Sequence, residues 1–534
     1  MKSSLKHILS GALLLALTLM LTGCEELFGE WERPTPVNPT PTPEPSVFDA
    51  LSTPLTLQTT GMSPITVTVS TTLTTGKTIE YSVDGGEWTQ GTPSNGTPLT
   101  ITGHVVQFRG NNASYGDPSS PFKYTNIKTE TEAYIYGNVM SLIDKENFPT
   151  LKSFDTSDKD GDGNEDGAFA FLWLFADVDS YMSNFSMPAT QNIVCHPEKA
   201  LVLPATTLTK GCYGMMFLST KLASAPELPS KTLAESCYDE MFMNCTNLTI
   251  APELPATVLQ KGCYLGMFAA CSNLTTAPAL PATSLADNCY LSMFAKCQKL
   301  ENAPALPAPN LAKRCYESMF SGCTKLIHAP ALNALNLEEL CYASMFEDCT
   351  ELVFSPALPA INMAEQCYNS MFDGCTKLTV APVLSAGGTA GGSLDWACYA
   401  GMFRGCVELV NAPELPATTL AKDCYIGMFE DCTKLTTAPV LSASSLPHGC
   451  YQRMFYNCVN LSYVKCLATS IDSSCGGSLS NAVSDWLWGD DASHAAGANA
   501  VSRTFVRGSS ASFWTNSTYI VPQSGTPSWN VTTE

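Results

Sequence analysis

The chain has 534 residues, 45% of them hydrophobic and only 14% charged, which suffices for a solenoid plus one or two small domains. It carries 28 Lys and Arg residues against 49 Asp and Glu residues, a formal net charge of −21. Because so acidic a chain repels phosphates and has no basic stripe, a nucleic-acid partner is excluded.

Residues 1–23 have the pattern of a bacterial signal peptide. Lys2 and Lys6 precede an apolar run, Ile8–Met20, which is too short to span a bilayer. The next residues, Leu-Thr-Gly-Cys, end at Cys24 and resemble a lipobox, whose cysteine becomes the acylated first residue of the mature chain. We therefore expect an exported protein, lipid-anchored in the outer membrane through Cys24 and exposed on the cell surface. The membrane is expected to be contacted through this anchor alone.

A proline-rich tether occupies residues 24–47. Residues 32–46 read ERPTPVNPTPTPEPS, and proline at that density favours an extended, semi-rigid spacer.

Residues 48–136 predict a small β-sandwich-like module. The run Ile65–Val69 alternates apolar and polar residues, as half-buried strands do. Ile79–Val83, a turn at Asp84-Gly85-Gly86 and Glu87–Thr89 have the pattern of a hairpin. We expect the module to serve as a spacer or as a cap on the repeat region, with a separate binding module as the alternative.

Residues 137–211 are predicted to hold an N-terminal cap and a degenerate first repeat that starts at Ala170. An acidic loop within this region has the oxygen spacing that begins a calcium loop. Its candidate ligands are Asp158, Asp160, Asp162, Asn164 and Asp166. Phe169 stands where a bidentate glutamate is required, so a solvated glycine-rich turn is the alternative. Weak calcium binding is the only cofactor expected.

Ten copies of Cys-Tyr-x-x-Met-Phe-x-x-Cys occupy residues 212–460, most of them 26 residues apart, with one interval of 25 and one of 31. Such a period is typical of a solenoid, whose coils bury their apolar faces against one another. In the copy that begins at Cys237, residues Cys237, Tyr238, Met241 and Phe242 would share one face of a short helix. An extended stretch with prolines comes after it. The pattern predicts an α/β solenoid of about twelve turns, each a short helix plus a short strand.

The cysteines of these copies could be disulfides, metal ligands or buried thiols. Two cysteines eight residues apart on a helix are separated by about 12 Å along its axis, whereas a disulfide needs Cα atoms about 4.4–6.8 Å apart. Metal-binding spacings are missing from the sequence. We interpret the cysteines as small buried hydrophobes. Cys195, Cys466 and Cys475 lie outside the two cysteine rows, and since export favours oxidation they are the candidates for exceptions.

Residues 461–534 hold large aromatic residues among serines and glycines, and they are interpreted as a C-terminal cap on the last coil. The aromatic residues include Trp486, Trp488, Phe505, Trp514 and Trp529.

The lipobox, the Met-Phe-x-x-Cys segments and the recurring Cys-x-x-Leu-x-x-Ala-Pro-x-Leu-Pro-Ala together resemble the BspA-like family of leucine-rich-repeat surface lipoproteins, over roughly residues 134–534. The resemblance implies a right-handed leucine-rich-repeat coil. It also implies an exposed bacterial surface protein, since members of the family are described as adhesins for host matrix proteins or other cells.

The residue before Ala-Pro varies from copy to copy while its neighbours do not. By analogy with leucine-rich-repeat strands, it should project from one face, so that Asn302, His328 and Phe354 stand side by side. Val380, Trp396 and Tyr463 complete the candidate binding face. Ordinary tolerance of a surface position is the alternative.

We therefore expect a non-enzymatic protein that binds a host extracellular or cell-surface protein or glycan. None of the six histidines lies in a catalytic motif. Two alternatives remain: a glycan-capturing lipoprotein with Phe354, Trp396 and Tyr463 as aromatic platforms, or a structural spacer of the envelope. A monomer is expected, although the sequence leaves the oligomeric state open.

Overall fold

The computed structural model describes residues 48–534 apart from 75, 118–119, 160, 177–189, 388–391, 477, 510–513, 515–520 and 523–527. The predicted signal peptide, the lipidation site at Cys24 and the tether lie outside the described residues. Within the described ranges, no helix combines the length and the apolar composition needed to cross a bilayer.

Two facing sheets form the N-terminal part of the fold. Their strands are β1 (Leu55–Thr59), β2 (Ile65–Thr71), β3 (Ile79–Val83), β4 (Thr89–Gly91), β5 (Leu99–Gly103), β6 (Val105–Arg109), β7 (Gly116–Asp117), β8 (Ser120–Thr129), β9 (Ala133–Asn138), β10 (Ile193–Cys195) and β11 (Leu201–Val202). One sheet has the order β10-β9-β1-β6-β3-β4, with β11 also paired to β9, and the other has the order β5-β2-β8-β7. Strand β2 alternates buried and half-buried side chains, as its sequence predicts. The hairpin of β3 and β4 turns at Asp84 and Gly85, both at positive φ.

Both sheets are hydrogen-bonded to the first coil of the repeat region. In one sheet, β9 pairs in parallel with β10 and β11. In the other, the backbone N–H of Ile127 donates to the carbonyl of Leu174 at 2.7 Å, and that of Tyr115 donates to Ala170 at 2.9 Å. The β module therefore covers the end of the coil stack with continuous backbone hydrogen bonding.

The predicted α/β solenoid with one short helix per turn is wrong. In the described part of the chain, the one α-helix is α1 (Ser480–Val483), and two 3-10 helices span Val139–Leu142 and Ser473–Cys475. Each Cys-Tyr-x-x-Met-Phe-x-x-Cys copy is instead a row of tight turns, which we call the turn segment. The described part of the chain is almost entirely built from strands, single bridges and turns.

Along a turn segment, backbone N–H groups donate alternately to a carbonyl of their own coil and to a carbonyl of the next coil. Met241 donates its N–H to the carbonyl three residues back, that of Tyr238, at 3.3 Å. The intervening residue, Glu240, donates to Leu265 of the next coil at 2.7 Å. The backbone is thus satisfied half by local turns and half by a ladder between coils.

Left-handed residues explain why no helix forms here. In the copy that begins at Cys237, Ser236, Glu240 and Asn244 have φ of 51°, 49° and 59°, and the equivalent positions have positive φ in every copy through that of Cys450. A residue in this conformation every four positions interrupts the continuous right-handed φ, ψ values that a helix requires. In each group of four residues, this conformation directs two side chains into the core and two away from it.

The extended side of each coil touches its neighbours through two rows of single parallel bridges. We call the first row the first ladder; its bridged pairs are Ser224–Ile250, Ile250–Thr276, Asn302–His328, Phe354–Val380 and Asn411–Thr437. The second ladder contains Val258–Ser284 and Asn336–Asn362. Prolines between the two ladders, such as Pro252 and Pro255, supply no N–H, which keeps the bridges from extending into longer strands there.

Regular strands return at the C-terminal end. They are β12 (Thr437–Leu441), β13 (Ser445–Leu446), β14 (Tyr463–Cys466), β15 (Ser470–Ile471), β16 (Thr504–Arg507) and β17 (Asn530–Thr533). A parallel sheet has the order β12-β14-β16-β17, and β13 pairs with β15.

Two stacks of aromatic rings run through the core of the coils. Tyrosine rings from Tyr213 to Tyr451 stack at centroid distances of 5.8–6.2 Å, and phenylalanine rings from Phe175 to Phe455 stack at 5.5–5.9 Å. Trp486 covers Tyr451 at 6.3 Å, and Trp514 covers Trp486 at 5.5 Å. Offset stacking of this kind adds to the gain from burying the rings, so the stacks fix the register of each coil on the next.

The second cysteine of each copy is a hydrogen-bond donor as well as a small buried group. The thiol of Cys323 donates to the carbonyl of Phe294 in the preceding coil at 3.1 Å, and the same contact recurs from Cys245 to Cys458. Burial raises the pKa of Cys323 to about 12. All described cysteines are free, and Cys466 and Cys475 are buried, which leaves Cys195 as the one partly exposed thiol in the described ranges.

Asp239 and Glu240 place two carboxylates on one turn segment, with few hydrogen bonds to offset the loss of solvation. Asp239 Oδ1 and Glu240 Oε2 are shielded from solvent and have no hydrogen-bond partner among the described residues. Burial raises the pKa of Asp239 well above its usual range and raises that of Glu240 from 4.5 to about 7. The folded state therefore retains a Glu240 proton that the unfolded chain releases.

We expect the free energy of unfolding to fall as the pH rises from about 4.5 to about 7, because the unfolded chain binds fewer protons there. Glu240→Gln should remove part of this fall and should stabilise the protein above pH 7. Guanidinium denaturation at a series of pH values measures the free energy of unfolding of both proteins. Glu253→Gln, an exposed carboxylate of the same coil, controls for the loss of one charge. An unchanged pH dependence in Glu240→Gln would contradict the prediction.

Candidate functional site

The first ladder is an exposed and regular feature of the extended side. Ile250, Phe354 and Val380 are 67%, 66% and 54% exposed. Asn302 and His328 are also exposed, and they are directly bridged to each other. Phe354 and Val380 form the next bridged pair along the chain. The structure therefore aligns these sequence-predicted residues in one register.

Strand-like alternation alone does not explain why the first-ladder side chains project outward. In the copy around Phe354, Leu352 is fully buried, Phe354 is exposed, and Leu358 beyond the Ala-Pro equivalent is buried again. Leu352 and Phe354 are two residues apart, so plain alternation would place them on the same face. The segment has only a single bridge there and no continuous strand, so the regular alternation of a strand does not apply to it.

A groove runs along the same face. Residues 249–255 of one coil and residues 275–279 and 281 of the next line a cavity of about 630 Å³. Its walls include Ile250 and Thr276, which are bridged members of the first ladder. The face thus offers a concave surface between coils as well as projecting side chains.

Val383 extends the apolar part of this face, although the sequence reasoning missed it. Its side chain is 78% exposed and lies three residues after Val380 in the Pro-x-Leu position. Most other copies have alanine or glutamate at that position, for example Ala357 and Glu414, and Val440 is the other valine. A valine that replaces a small or charged residue at an exposed repeat position was the available signal.

Trp396 and Tyr463 are not part of a common aromatic platform with Phe354. Trp396 lies two residues before Cys398 and off the first ladder, where its Nε1 donates to Asp423 Oδ2 at 2.9 Å. Tyr463 continues the ladder as part of β14, but it is half-buried and pairs with Thr437 and Thr504. The three aromatic side chains are therefore separate.

The predicted calcium ligands form a self-contained loop as far as they are described; Asp160 lies outside the described residues. Asp158 Oδ1 accepts the N–H groups of Gly161 and Asp162 at 2.8 and 3.1 Å. Asp162 Oδ1 accepts the N–H of Asn164, and Asp166 pairs with the ammonium of Lys159. Over the described ranges, no group of three or more His, Cys, Asp or Glu side chains is arranged to hold a metal ion. Calcium binding stays a prediction.

Comparisons with protein-family models, with curated proteins and with solved structures find no match.

Proposed function

We propose that this chain is an exported lipoprotein, anchored in the outer membrane through Cys24, that binds a macromolecular partner through the first ladder. The partner class is a host extracellular or cell-surface protein or glycan. The resemblance to BspA-like surface lipoproteins supports the location and the role. The geometry of the extended side supports the choice of face.

The bridged pair Phe354 and Val380 is the observation that carries the proposal. Exposed large apolar side chains that are next to one another in a regular array are costly in water, and such patches mark interaction surfaces. Val383 enlarges the pair to a patch, and His328 and Asn302 in the preceding coils add hydrogen-bonding groups. Apolar anchors beside polar groups are the usual composition of a protein-binding surface.

The rigidity of the coils favours recognition with a small entropic cost. Each first-ladder residue is held by a bridge to a neighbouring coil, and the coils are held to one another by the stacked rings of the core. The face is therefore formed before a partner arrives, and few backbone angles need to be ordered on contact.

The test is binding of the full chain to an array of matrix proteins, mucins and polysaccharides, compared with the variant Asn302→Ala/His328→Ala/Phe354→Ala. A saturable partner should bind the triple variant at least about tenfold more weakly, since loss of an interface anchor typically costs more than 1 kcal/mol. Leu335→Ala is the matched control, because Leu335 is 62% exposed but lies beside the second ladder.

A partner that binds the triple variant and the wild-type chain equally would place the interface elsewhere and would overturn the proposed face. Failure to bind any probe of the array would contradict the adhesion role and favour a structural spacer of the envelope.

A further inference from the structure

A cleft opens between the β module and the first coils, and Ser224, the first member of the first ladder, lines it. Two chain segments form the cleft, one that starts at Ile193 and one that starts at Lys221. They are hydrogen-bonded at their start, where Lys221 donates its N–H to the carbonyl of Ile193 at 3.1 Å. They separate after the contact of the Cys195 thiol with the carbonyl of Ser224, at 3.3 Å. Beyond that point β11 pairs with β9, and within the described ranges no bridge joins β11 to the next coil.

The cleft reaches the apolar core. Its lining includes Ile135, Leu203 and Leu222, each at most 2% exposed. The volume is about 520 Å³, within the usual range for small-molecule sites. Walls of this kind favour an apolar ligand body, because burying it removes apolar surface from water.

The polar groups of the cleft give it a positive character in an acidic chain. Lys152 and Lys199 line it, and Glu227 is the one acidic residue in its lining, as far as the structure describes the chain. Lys199 is fixed in place: its ammonium lies 4.3 Å from the centre of the Tyr136 ring and donates to Gln58 Oε1 at 3.1 Å. With two lysines and one glutamate, the lining is locally positive, whereas the whole chain has a net charge of −21.

His196 adds a neutral hydrogen-bonding group. Its Nδ1 accepts the backbone N–H groups of Glu198 and Lys199, both at 3.1 Å, so the neutral ring carries its proton on Nε2. Burial, together with the charge of Lys199, lowers the pKa of His196 and favours this neutral form. The ring is packed between Tyr134 and Tyr136, which holds it in place.

We propose that this cleft binds a small amphipathic carboxylate, with its apolar body against Ile135, Leu203 and Leu222 and its anionic group beside Lys152 and Lys199. The inference does not depend on the proposed function, since a protein with no macromolecular partner could still hold such a ligand. Charge complementarity selects the carboxylate, and the apolar floor selects the attached chain or ring system.

Cys195 provides the readout, because it lines the cleft and is partly exposed. The full chain is treated with iodoacetamide with and without dodecanoate, and alkylation of Cys195 is followed by peptide mass spectrometry, which separates it from Cys24. Dodecanoate should slow alkylation saturably. Dodecanol has the same chain without the charge and should protect up to about fivefold less effectively.

Two variants tie the protection to the cleft. Ala225→Trp fills it and should abolish protection, while Ala277→Trp at the equivalent position two coils away should leave protection unchanged. The milder Lys152→Gln/Lys199→Gln variant should bind dodecanoate and dodecanol alike. Absence of protection in the wild-type chain, equal protection by both compounds, or protection that survives Ala225→Trp would each overturn the proposal.

Discussion

Phe320→Ala should lower the free energy of unfolding by about 3–5 kcal/mol, the range for removing a fully buried phenylalanine. The Phe320 ring has no exposed surface and stacks on Phe294 at 5.8 Å and on Phe346 at 5.9 Å. Its loss leaves a cavity and breaks the ring stack in the middle of the solenoid. Guanidinium denaturation followed by far-UV circular dichroism measures the change.

Tyr456→Ala is the control for removal of an aromatic ring outside the stack. Tyr456 is half-buried, lies under the guanidinium of Arg453 at 3.7 Å and donates its hydroxyl to Asp490 at 3.0 Å. Surface contacts of this kind contribute about 1 kcal/mol. If Phe320→Ala costs no more than Tyr456→Ala, the ring stacks are not the main source of cohesion between coils.

Ser318→Pro should destabilise the chain by more than about 3 kcal/mol, whereas Ser318→Gly should leave its stability unchanged or raise it. Ser318 has φ of 53° and donates its N–H to Ala343 of the next coil at 2.8 Å. Proline cannot adopt this φ and has no N–H to donate. Glycine adopts it without steric cost, which offsets the larger entropy of its unfolded state.

The glycine variant distinguishes turn segments from helices. In a helix interior, Ser318→Gly would destabilise the chain, because glycine is the poorer helix former. Thermal unfolding of the two variants beside the wild-type chain decides the sign. A Ser318→Gly variant that is clearly less stable than the wild type would contradict the left-handed conformation at this position.

The repeat and its buried residues could be predicted because they depend on period and hydrophobicity alone. Cys237, Tyr238, Met241 and Phe242 were expected to be buried together, and all four are. Likewise, the register of the first ladder is a consequence of a constant repeat length: residues 26 apart, such as Asn302 and His328, are bridged.

The turn segment was predicted to be a helix, because over nine residues a repeat of 3.6 residues is hard to distinguish from a repeat of four. Pairs at positions 0 and 1, then 4 and 5, fit a helix face nearly as well as they fit consecutive turns. The missed signal lies at the positions before and between the pairs. Glycine, asparagine, aspartate and serine recur there, as at Gly262, Gly266 and Asn288, and these residues accept positive φ most readily.

The cleft and the place of Trp396 could not be read from the sequence because both depend on contacts between distant segments. The cleft exists where β11 pairs with β9, across more than sixty residues from Gly137 to Leu201. Trp396 was assigned to the face from its aromatic character, but its position in the repeat, just before Cys398, places it with the turn segment.

Identical joints between coils make the number of coils easy to change in evolution. Tyr368 and Tyr399 stack at 5.8 Å although five extra residues separate them, so the joint tolerates an insertion that avoids the core. Unequal recombination between similar copies would delete or duplicate a whole coil and recreate the same joint at the new junction. Selection could thus lengthen or shorten the molecule in steps of one coil without redesigning its interior.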